Sequence, residues 1–473
     1  MSRPSLLWSK LIIPRPSSSR PFFRFLTSPY CTYTRTFLIT PATPPMASKS
    51  PSSSSSPKPY KREYGWVDGA EVLERYSEGG YHPVEIGNVL HDRYHIIDKL
   101  GYGGWSTVWL ARDSVKERYV ALKVGRADSL GNETETLRAL ETAGGCDAIP
   151  RLLDQFHVDG PNGSHPCSVT EPALCSLYDC SFSRLFPRDV ARALSYELAL
   201  AVSYLHSHGY AHGDIYLPNV LLKAPSTLNQ LSVEQFREKF GKPDIYPVKR
   251  LDGNPLPPGV PRTAVVPCYL QKKHVKNFTL SDARILLSDF GEAFAPAAQS
   301  RRGADCHSPT DYRPPDAFLQ PDIPLSFSSD IWCLALAIWD ILGMQPLFGS
   351  FFGCPESLVS QVVDVFGPLP SGWWEKWEGR TKYFNDDGTP KAGRHIWSKL
   401  DEAFEERVQK QRRELNMGEY GREETAAFLD LMVRMLKPNP QERITMDEVL
   451  QSEWMVKWAR PEYERSLAAR QGT

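Results

Sequence analysis

The stretch HGDIYLPN, residues 212–219, carries the reading from which the rest follows. Asp214 and Asn219 stand at the spacing of a phosphoryl-transfer loop, in which a carboxylate accepts a hydroxyl proton and an amide further on holds a metal ion. No basic residue lies between them.

Three other segments belong to the same chemistry and occur in a fixed order around it. In LGYGGWSTVWLARD, residues 100–113, Gly101 and Gly103 fall in a turn between two strand-like runs. Glycines suit that turn because backbone N–H groups must approach phosphates closely, which a Cβ would obstruct. Lys123 follows in VALKV. A strand lysine ordinarily faces solvent, but after a glycine-rich hairpin it reaches the α- and β-phosphates. It needs an orienting anion, for which Glu133 on the next helix is the expected partner and Glu135 the alternative. In LLSDFGEAF, residues 286–294, Asp289 ends an apolar run just before Gly291, a position from which a carboxylate coordinates Mg²⁺. Each segment recurs by chance; the four in this order form a specific set.

The chain of 473 residues, 41% hydrophobic, can bury a large core spread over about two to three domain-sized units. Its net charge of -1 gives no global field that would draw it to nucleic acid or to a membrane surface. Nine cysteines without CxxC pairs read as ordinary thiols in a reducing compartment. The most apolar run, IWCLALAIWDILGM at 331–344, is interrupted by Asp340 and falls short of the roughly eighteen residues a membrane span needs, so it reads as a buried core helix. Met1 to Tyr60 has no Asp or Glu and is rich in Arg, Ser and Pro, which fits an organellar transit peptide and a disordered tail equally. Met46 offers a later start.

The order of elements is β first, α later. RYHIIDKL (93–100), STVWLARD (106–113) and YVALKVG (119–125) read as an antiparallel sheet, GNETETLRALETAGG (131–145) as a helix, and PRLLDQFHV (150–158) and HPCSVTEPAL (165–174) as two more strands. Beyond Leu174 helical spacing takes over, above all in PRDVARALSYELALAVSYLHSHG, residues 187–209. The Pro-rich stretch between Leu222 and Phe278 reads as a loop-like insertion whose one helical segment is SVEQFREKF, residues 232–240.

The ordered set resembles the eukaryotic protein kinases. ERYSEGGYHPVEIGNVLHDRYHIIDKLGYGGWSTVWLARD, residues 74–113, resembles the SR-protein kinase family in its Gly-Tyr-His-Pro-Val segment (Gly80 to Val84) and in Ser106, which stands where many kinases have a third glycine. The likeness runs over about residues 64–460. It implies an α+β, bilobal protein-kinase fold, with a small β-rich N-lobe bearing one main helix and a larger α-helical C-lobe. The expected organisation is a tail (1–63), an extension (64–93), the N-lobe (94–174), the C-lobe (175–460) with an insertion at 223–278, and a C-terminal tail (461–473). The resemblance also implies ATP and Mg²⁺, transfer to Ser or Thr of a protein substrate, Arg-Ser-rich proteins as that substrate, a monomer, and a cytoplasmic or nuclear setting, against the mitochondrial one that the acid-free terminus suggests.

Carried onto this sequence, the family's nucleotide site comprises Leu100, Gly101, Tyr102, Gly103, Gly104, Trp105, Ser106, Thr107, Val108, Ala121, Lys123 and Glu133, with Thr170 as gatekeeper and Glu171 to Ala173 as the hinge. Asp214 is the base, and Asn219 and Asp289 are the metal ligands. DYRPPD (Asp311 to Asp316) ends the activation segment, with Arg443 as the ion-pair partner of Asp316; Asp330 is the core-helix aspartate.

Three departures stand out. Gly213 replaces the arginine that grips a phosphorylated activation loop, which implies activity without that modification. Asp316 replaces a glutamate. Tyr216 occupies the place where Ser/Thr kinases have a lysine, and Pro218 the place where tyrosine kinases have an arginine; losing such a donor costs about 10²- to 10³-fold in turnover, of which a neutral phenol recovers part. Tyr216 therefore joins Asp214, Lys123 and Asn219 among the catalytic candidates, with reduced but real activity expected. Two other readings stay open: a small-molecule phosphotransferase, whose loops also take the form His-Gly-Asp…Asn but which lack the DYRPPD and PQERITMDEVL segments, and a pseudokinase that binds nucleotide without useful catalysis. Glu375, Glu378, Asp386 and Asp387 are candidates for binding Arg-rich substrate, although Lys376, Arg380 and Lys382 are interspersed among them.

Overall fold

Alternating β-branched and aromatic residues build the first sheet. In the computed structural model, which describes residues 62–129, 133–181, 185–343, 345–349 and 354–471, the strands are β1 (Val89–Leu90), β2 (Tyr94–Tyr102), β3 (Ser106–Asp113), β4 (Arg118–Gly125), β5 (Asp154–Gly160) and β6 (Gly163–Thr170). They pair antiparallel in the order β1-β2-β3-β4-β6-β5. Tyr94, Ile96, Trp109, Leu122 and Val169 fill its core. Helix α1 (Glu133–Thr142) joins β4 to β5 and buries Leu137 and Leu140. Residues 1–61 of the expected tail lie outside the described residues.

The segment HPCSVTEPAL is two strands rather than one. Pro172 has no N–H to give a ladder, and the pairing breaks there between β6 and β7 (Ala173–Ser176). Likewise PRLLDQFHV becomes a strand only from Asp154. Beyond the short helix α2 (Leu177–Ser181), α3 (Arg188–Ser207) runs for 20 residues through the helical lobe and buries Leu194, Leu198, Ala201 and Leu205. Strand β8 (Val220–Lys223) follows the HGDIYLPN segment directly.

The Pro-rich insertion is ordered, which corrects its reading as a loop. Helix α4 (Val233–Phe240) opens with a capping box at Ser232 and Gln235, and β9 (Asp244–Pro247) pairs antiparallel with β10 (Thr263–Val266). The prolines concentrate in the connection between these two strands. The apolar residues on either side, Val248, Val260 and Ala264, bury with Tyr64, Leu73, Tyr76 and Tyr81 of the segment ahead of β1. Phe236 of α4 packs on Tyr119 of β4, ring centroids 5.3 Å apart. A stretch that lies in the C-terminal half of the sequence thus covers the N-terminal sheet. Asn162, at the β5–β6 turn, donates to the carbonyls of Tyr81 and Gly259, both at 2.7 Å, and ties the extension to the insertion.

Strand β11 (Ile285–Leu287) completes a three-stranded antiparallel sheet in the order β7-β8-β11, with Leu287 opposite Val220. Helix α5 (Pro315–Leu319) precedes α6 (Phe327–Leu342), whose apolar surface is buried along almost its whole length. Asp340, the charge that interrupts this run, accepts a hydrogen bond from the Tyr312 hydroxyl, and burial pushes its carboxyl up to about 7. Among the described residues no helix is long and apolar enough to cross a membrane.

A buried ion pair fastens the extension to the sheet. Lys99 and Glu71 are both shielded from water; the Tyr76 hydroxyl also donates to Glu71, and the ammonium sits 4.8 Å from the Trp109 ring centroid. Glu71→Ala should destabilise the protein by about 3–5 kcal/mol, because it leaves the ammonium buried without its counterion. Combining it with Lys99→Met should recover most of that loss in chemical denaturation.

His82 packs edge-on against His165, ring centroids 4.8 Å apart, and burial followed by the charge of His165 lowers its pKa to about 4. The unfolded chain takes up a proton near the ordinary value of 6.5. Between these values the unfolded state holds more protons, so stability is full above about pH 6.5 and falls as pH drops toward 4, by up to about 3 kcal/mol. Melting curves across that window should show the slope, and His82→Phe should flatten it.

Candidate active site

The glycine-rich segment forms the β2–β3 hairpin. Leu100, Gly101 and Tyr102 end β2, Gly103 to Trp105 make the turn, and Ser106, Thr107 and Val108 open β3. Thr107 turns its side chain into the core, where its hydroxyl accepts from the Trp109 indole at 2.9 Å. Ala121 and Lys123 lie on β4, opposite Leu110 and Val108, and Thr170 ends β6 opposite Ala121. Of the hinge, Glu171 has Lys223 at 3.3 Å, Pro172 brings no N–H, and Ala173 begins β7.

Lys123 is the meeting point of three elements. Its Nζ is 2.7 Å from Oε2 of Glu133, the first residue of α1, and 2.9 Å from Oδ1 of Asp289, just beyond β11. Glu133, rather than Glu135, is the partner, and its other oxygen accepts from Phe290 N at 3.3 Å. Burial opposes the lysine's charge, but the carboxylates of Asp289 and Glu133 outweigh it and hold its pKa above the ordinary value. The Lys123 charge in turn holds Asp289 low. Asp289 sits in left-handed backbone at φ 65, which turns the chain sharply at the strand end. Half of its side chain stays exposed to the cleft.

The second group is Asp214 and Asn219. Asn219 ends a short turn, Leu217–Asn219, and its amide donates 2.9 Å bonds to both the carbonyl and Oδ2 of Asp214. The Asn219 carbonyl accepts from the backbone N–H and hydroxyl of Ser288, at 2.8 and 2.9 Å, so the loop is laced to the strand end that carries Asp289. Oδ1 of Asp214 is buried without a hydrogen-bond partner. Burial, then the charge of Asp289, pushes its carboxyl up to about 8.

From behind, Asp330 of α6 accepts from the backbone N–H groups of His212 and Gly213, at 2.7 and 2.9 Å, and lies 3.0 Å from His206. Tyr216 lies edge-on to Tyr312, ring centroids 5.7 Å apart. Burial, then Asp214, raises its pKa, so the phenol keeps its proton.

These groups fit a hard cation. Asp289 presents a half-open carboxylate, and Asn219 spends its N–H₂ on Asp214, which leaves an amide oxygen; oxygen donors few in number, completed by phosphates and water, are what Mg²⁺ takes. Among the described residues no cluster of three or more His, Cys, Asp or Glu side chains is arranged to hold a metal without such help.

No protein-family model matches the chain. A serine/threonine protein kinase of Aspergillus fumigatus is 26% identical over 402 residues, 82% of this chain and 90% of that protein. The serine/threonine-protein kinase SRPK of Physarum polycephalum is 26% identical over 81% of this chain and 91% of its own length. Protein kinase dsk1 of Schizosaccharomyces pombe reaches 40% identity over 166 residues, 32% of this chain. A solved kinase domain superposes with a TM-score of 0.52 at 19% identity, over 79% of this chain and 98% of its own, which establishes the fold.

The chain has the protein-kinase fold, and the relatives it resembles are serine/threonine protein kinases, SRPK among them. The segment from Glu292 to Ser308 packs against position 213, where the arginine is absent. Gly213 has φ 78, and a Cβ there would lie 2.6 Å from the Glu292 carbonyl oxygen. Arg301 donates to that same carbonyl and to the Glu292 carboxylate, at 2.7 and 2.9 Å; His307 stands 3.0 Å from the carboxylate, and the Ser308 hydroxyl donates to the Gly213 carbonyl at 2.9 Å. These bonds pin the segment to the loop that carries Gly213. Arg443 meets Asp316 in a buried ion pair, the pairing the resemblance implies. Sequence reasoning missed Glu292, Arg301, His307 and Ser308, because hydrogen bonds between loops leave no periodic trace.

Gly213→Ala should destabilise the kinase by about 1–3 kcal/mol, measured by denaturation, since the new Cβ meets a backbone oxygen in left-handed geometry. Gly213→Arg should lower activity, rather than make it dependent on phosphorylation.

Proposed function

We propose that the kinase transfers the γ-phosphoryl group of MgATP to serine or threonine hydroxyls of a protein substrate, with Asp214 as the base. The observation that carries this reading is the unpartnered Oδ1 of Asp214, held in place through Oδ2 and the Asn219 amide. A substrate hydroxyl donating to that oxygen would have its proton accepted as the oxygen attacks phosphorus. Lys123, oriented by Glu133, holds the phosphates from the sheet side, and Asn219 and Asp289 hold the magnesium. When bound, the cation neutralises charge on the terminal phosphates. Leu100 to Val108, Ala121 and Thr170 enclose the nucleotide, and Glu171 to Ala173 take the base. The enzyme works as a monomer, its lobes dividing at residues 174 and 175.

Turnover is reduced by Tyr216, whose neutral phenol replaces an ammonium beside the transferring group. Tyr216→Lys should raise the rate constant for phosphoryl transfer by about tenfold or more, within the 10²- to 10³-fold such donors contribute. An unchanged rate would mean that another group already supplies the charge.

Arg-Ser-rich segments are the proposed substrates. Among the relatives is one named SRSF protein kinase 3 in Homo sapiens, 36% identical over 163 residues. In this chain Lys382 is engaged by Glu356 at 2.6 Å, and Arg380 donates to the carbonyls of Trp374 and Glu375, so two of the interspersed cations are turned to local partners while Glu378 and Asp386 stay at the surface.

Transfer of labelled phosphate from ATP to an Arg-Ser peptide, compared with a Lys-Ser peptide and with Asp214→Asn, tests the whole reading. The expected result is preference for Arg-Ser and a drop of at least about 10²-fold in the variant. Equal signals from wild type and Asp214→Asn would leave a nucleotide-binding scaffold instead.

A further inference from the structure

We infer that the segment ahead of β1 is part of the nucleotide site: Tyr81 and Arg75 are positioning residues that set the backbone of the glycine-rich turn. The inference rests on the MgATP reading above and adds to it a part of the chain with no phosphate-binding motif of its own.

The turn has little packing to hold it. A Cβ at Gly101 or Gly103 would meet nothing within 4 Å, and the Trp105 side chain is half exposed. What holds the turn is a row of bonds to consecutive carbonyls. The Tyr81 hydroxyl donates to the Gly103 carbonyl, Arg75 Nη1 donates to the Gly104 carbonyl at 3.3 Å, and Arg126 N donates to the Trp105 carbonyl at 2.8 Å. Arg75 Nη1 also donates to the Tyr81 oxygen at 3.0 Å, which joins the first two contacts into one unit.

In a planar trans peptide the C=O of one residue and the N–H of the next point in opposite directions. Tying back the carbonyls of Gly103 and Gly104 therefore turns the N–H groups of Gly104 and Trp105 away from the extension, as donors for phosphate oxygens.

The clamp is itself firmly placed. Tyr81 is buried, its ring lies edge-on to Tyr76 with centroids 5.4 Å apart, its N–H donates to the Arg75 carbonyl at 3.0 Å, and its carbonyl accepts from Asn162 at 2.7 Å. Gly80 has no room for a side chain, since a Cβ would lie 2.0 Å from the Arg75 carbonyl oxygen. Glu71, a few residues back, is the partner of buried Lys99. The extension is thus anchored independently of the turn it holds.

The test uses the 473-residue chain with Tyr81→Phe and, separately, Arg75→Met, each titrated with MgATP and with adenosine, which lacks phosphates. Loss of one hydrogen bond of this kind corresponds to about a fivefold change. The expected result is MgATP binding weakened about fivefold, adenosine binding and melting temperature unchanged, and a double variant little worse than either single one. A folded variant with unchanged MgATP affinity, or one that loses adenosine and MgATP equally, would overturn the inference. Arg75 lies nearer the surface than Tyr81, so its variant decides the matter if Tyr81→Phe fails to fold. Should the wild type itself bind adenosine and MgATP equally or not at all, the MgATP reading falls and takes the clamp with it; wild-type preference for MgATP with unchanged variants removes the clamp alone.

Discussion

One ammonium holds the two lobes in register. Lys123 on β4 is gripped by Glu133 at the start of α1 and by Asp289 at the end of β11, at 2.7 and 2.9 Å. The three residues come from the N-terminal sheet, its only long helix among the described residues, and the helical lobe. A lysine drawn this far from water needs counterions, and supplying both fixes where the helix and the strand end sit. With Ser288 bonded to Asn219, and Asn219 to Asp214, the same arrangement reaches Asp214 through two further hydrogen-bonded steps.

The catalytic loop is supported from behind by a single buried carboxylate. Asp330 holds the backbone of His212 and Gly213, while Glu292 gathers Arg301 and His307 in front. Between these supports Gly213 takes a left-handed conformation against the Glu292 carbonyl, where a side chain has no space. The absence of arginine at that position is therefore a requirement of the backbone path. The segment is held there by its own carboxylate, guanidinium, imidazole and hydroxyl. Asp340 belongs to the same economy of polar groups: in the sequence it only interrupts an apolar run, whereas in the fold it anchors Tyr312, on whose ring Tyr216 rests.

Some of this was legible residue by residue. Glycine, lysine, aspartate and asparagine at Gly101, Lys123, Asp214, Asn219 and Asp289 are chemically constrained, and their order along the chain could be read directly. So could the strands whose apolar residues alternate, α3, whose apolar face repeats with the helix, and α6, an apolar run too short to span a membrane. The insertion was misread because proline-rich composition masks short strands: β9 and β10 have four residues each, too few for periodicity to register. Its destination was equally hidden. Nothing in residues 244–266 announces that they cover a sheet formed by residues some way toward the N-terminus.

The sequence by itself carried the kinase reading and the order of the lobes, since both depend on residue type and local spacing. Tertiary structure alone decided that Asp289 also reaches Lys123, why Gly213 is glycine, where the insertion packs, and that Tyr81 and Arg75 reach the glycine-rich turn. The physical reason is common to all four. Each is a contact between residues distant in the chain, made through backbone carbonyls or through one member of a set of similar side chains. Such contacts depend on how elements pack, and packing leaves no mark on local composition.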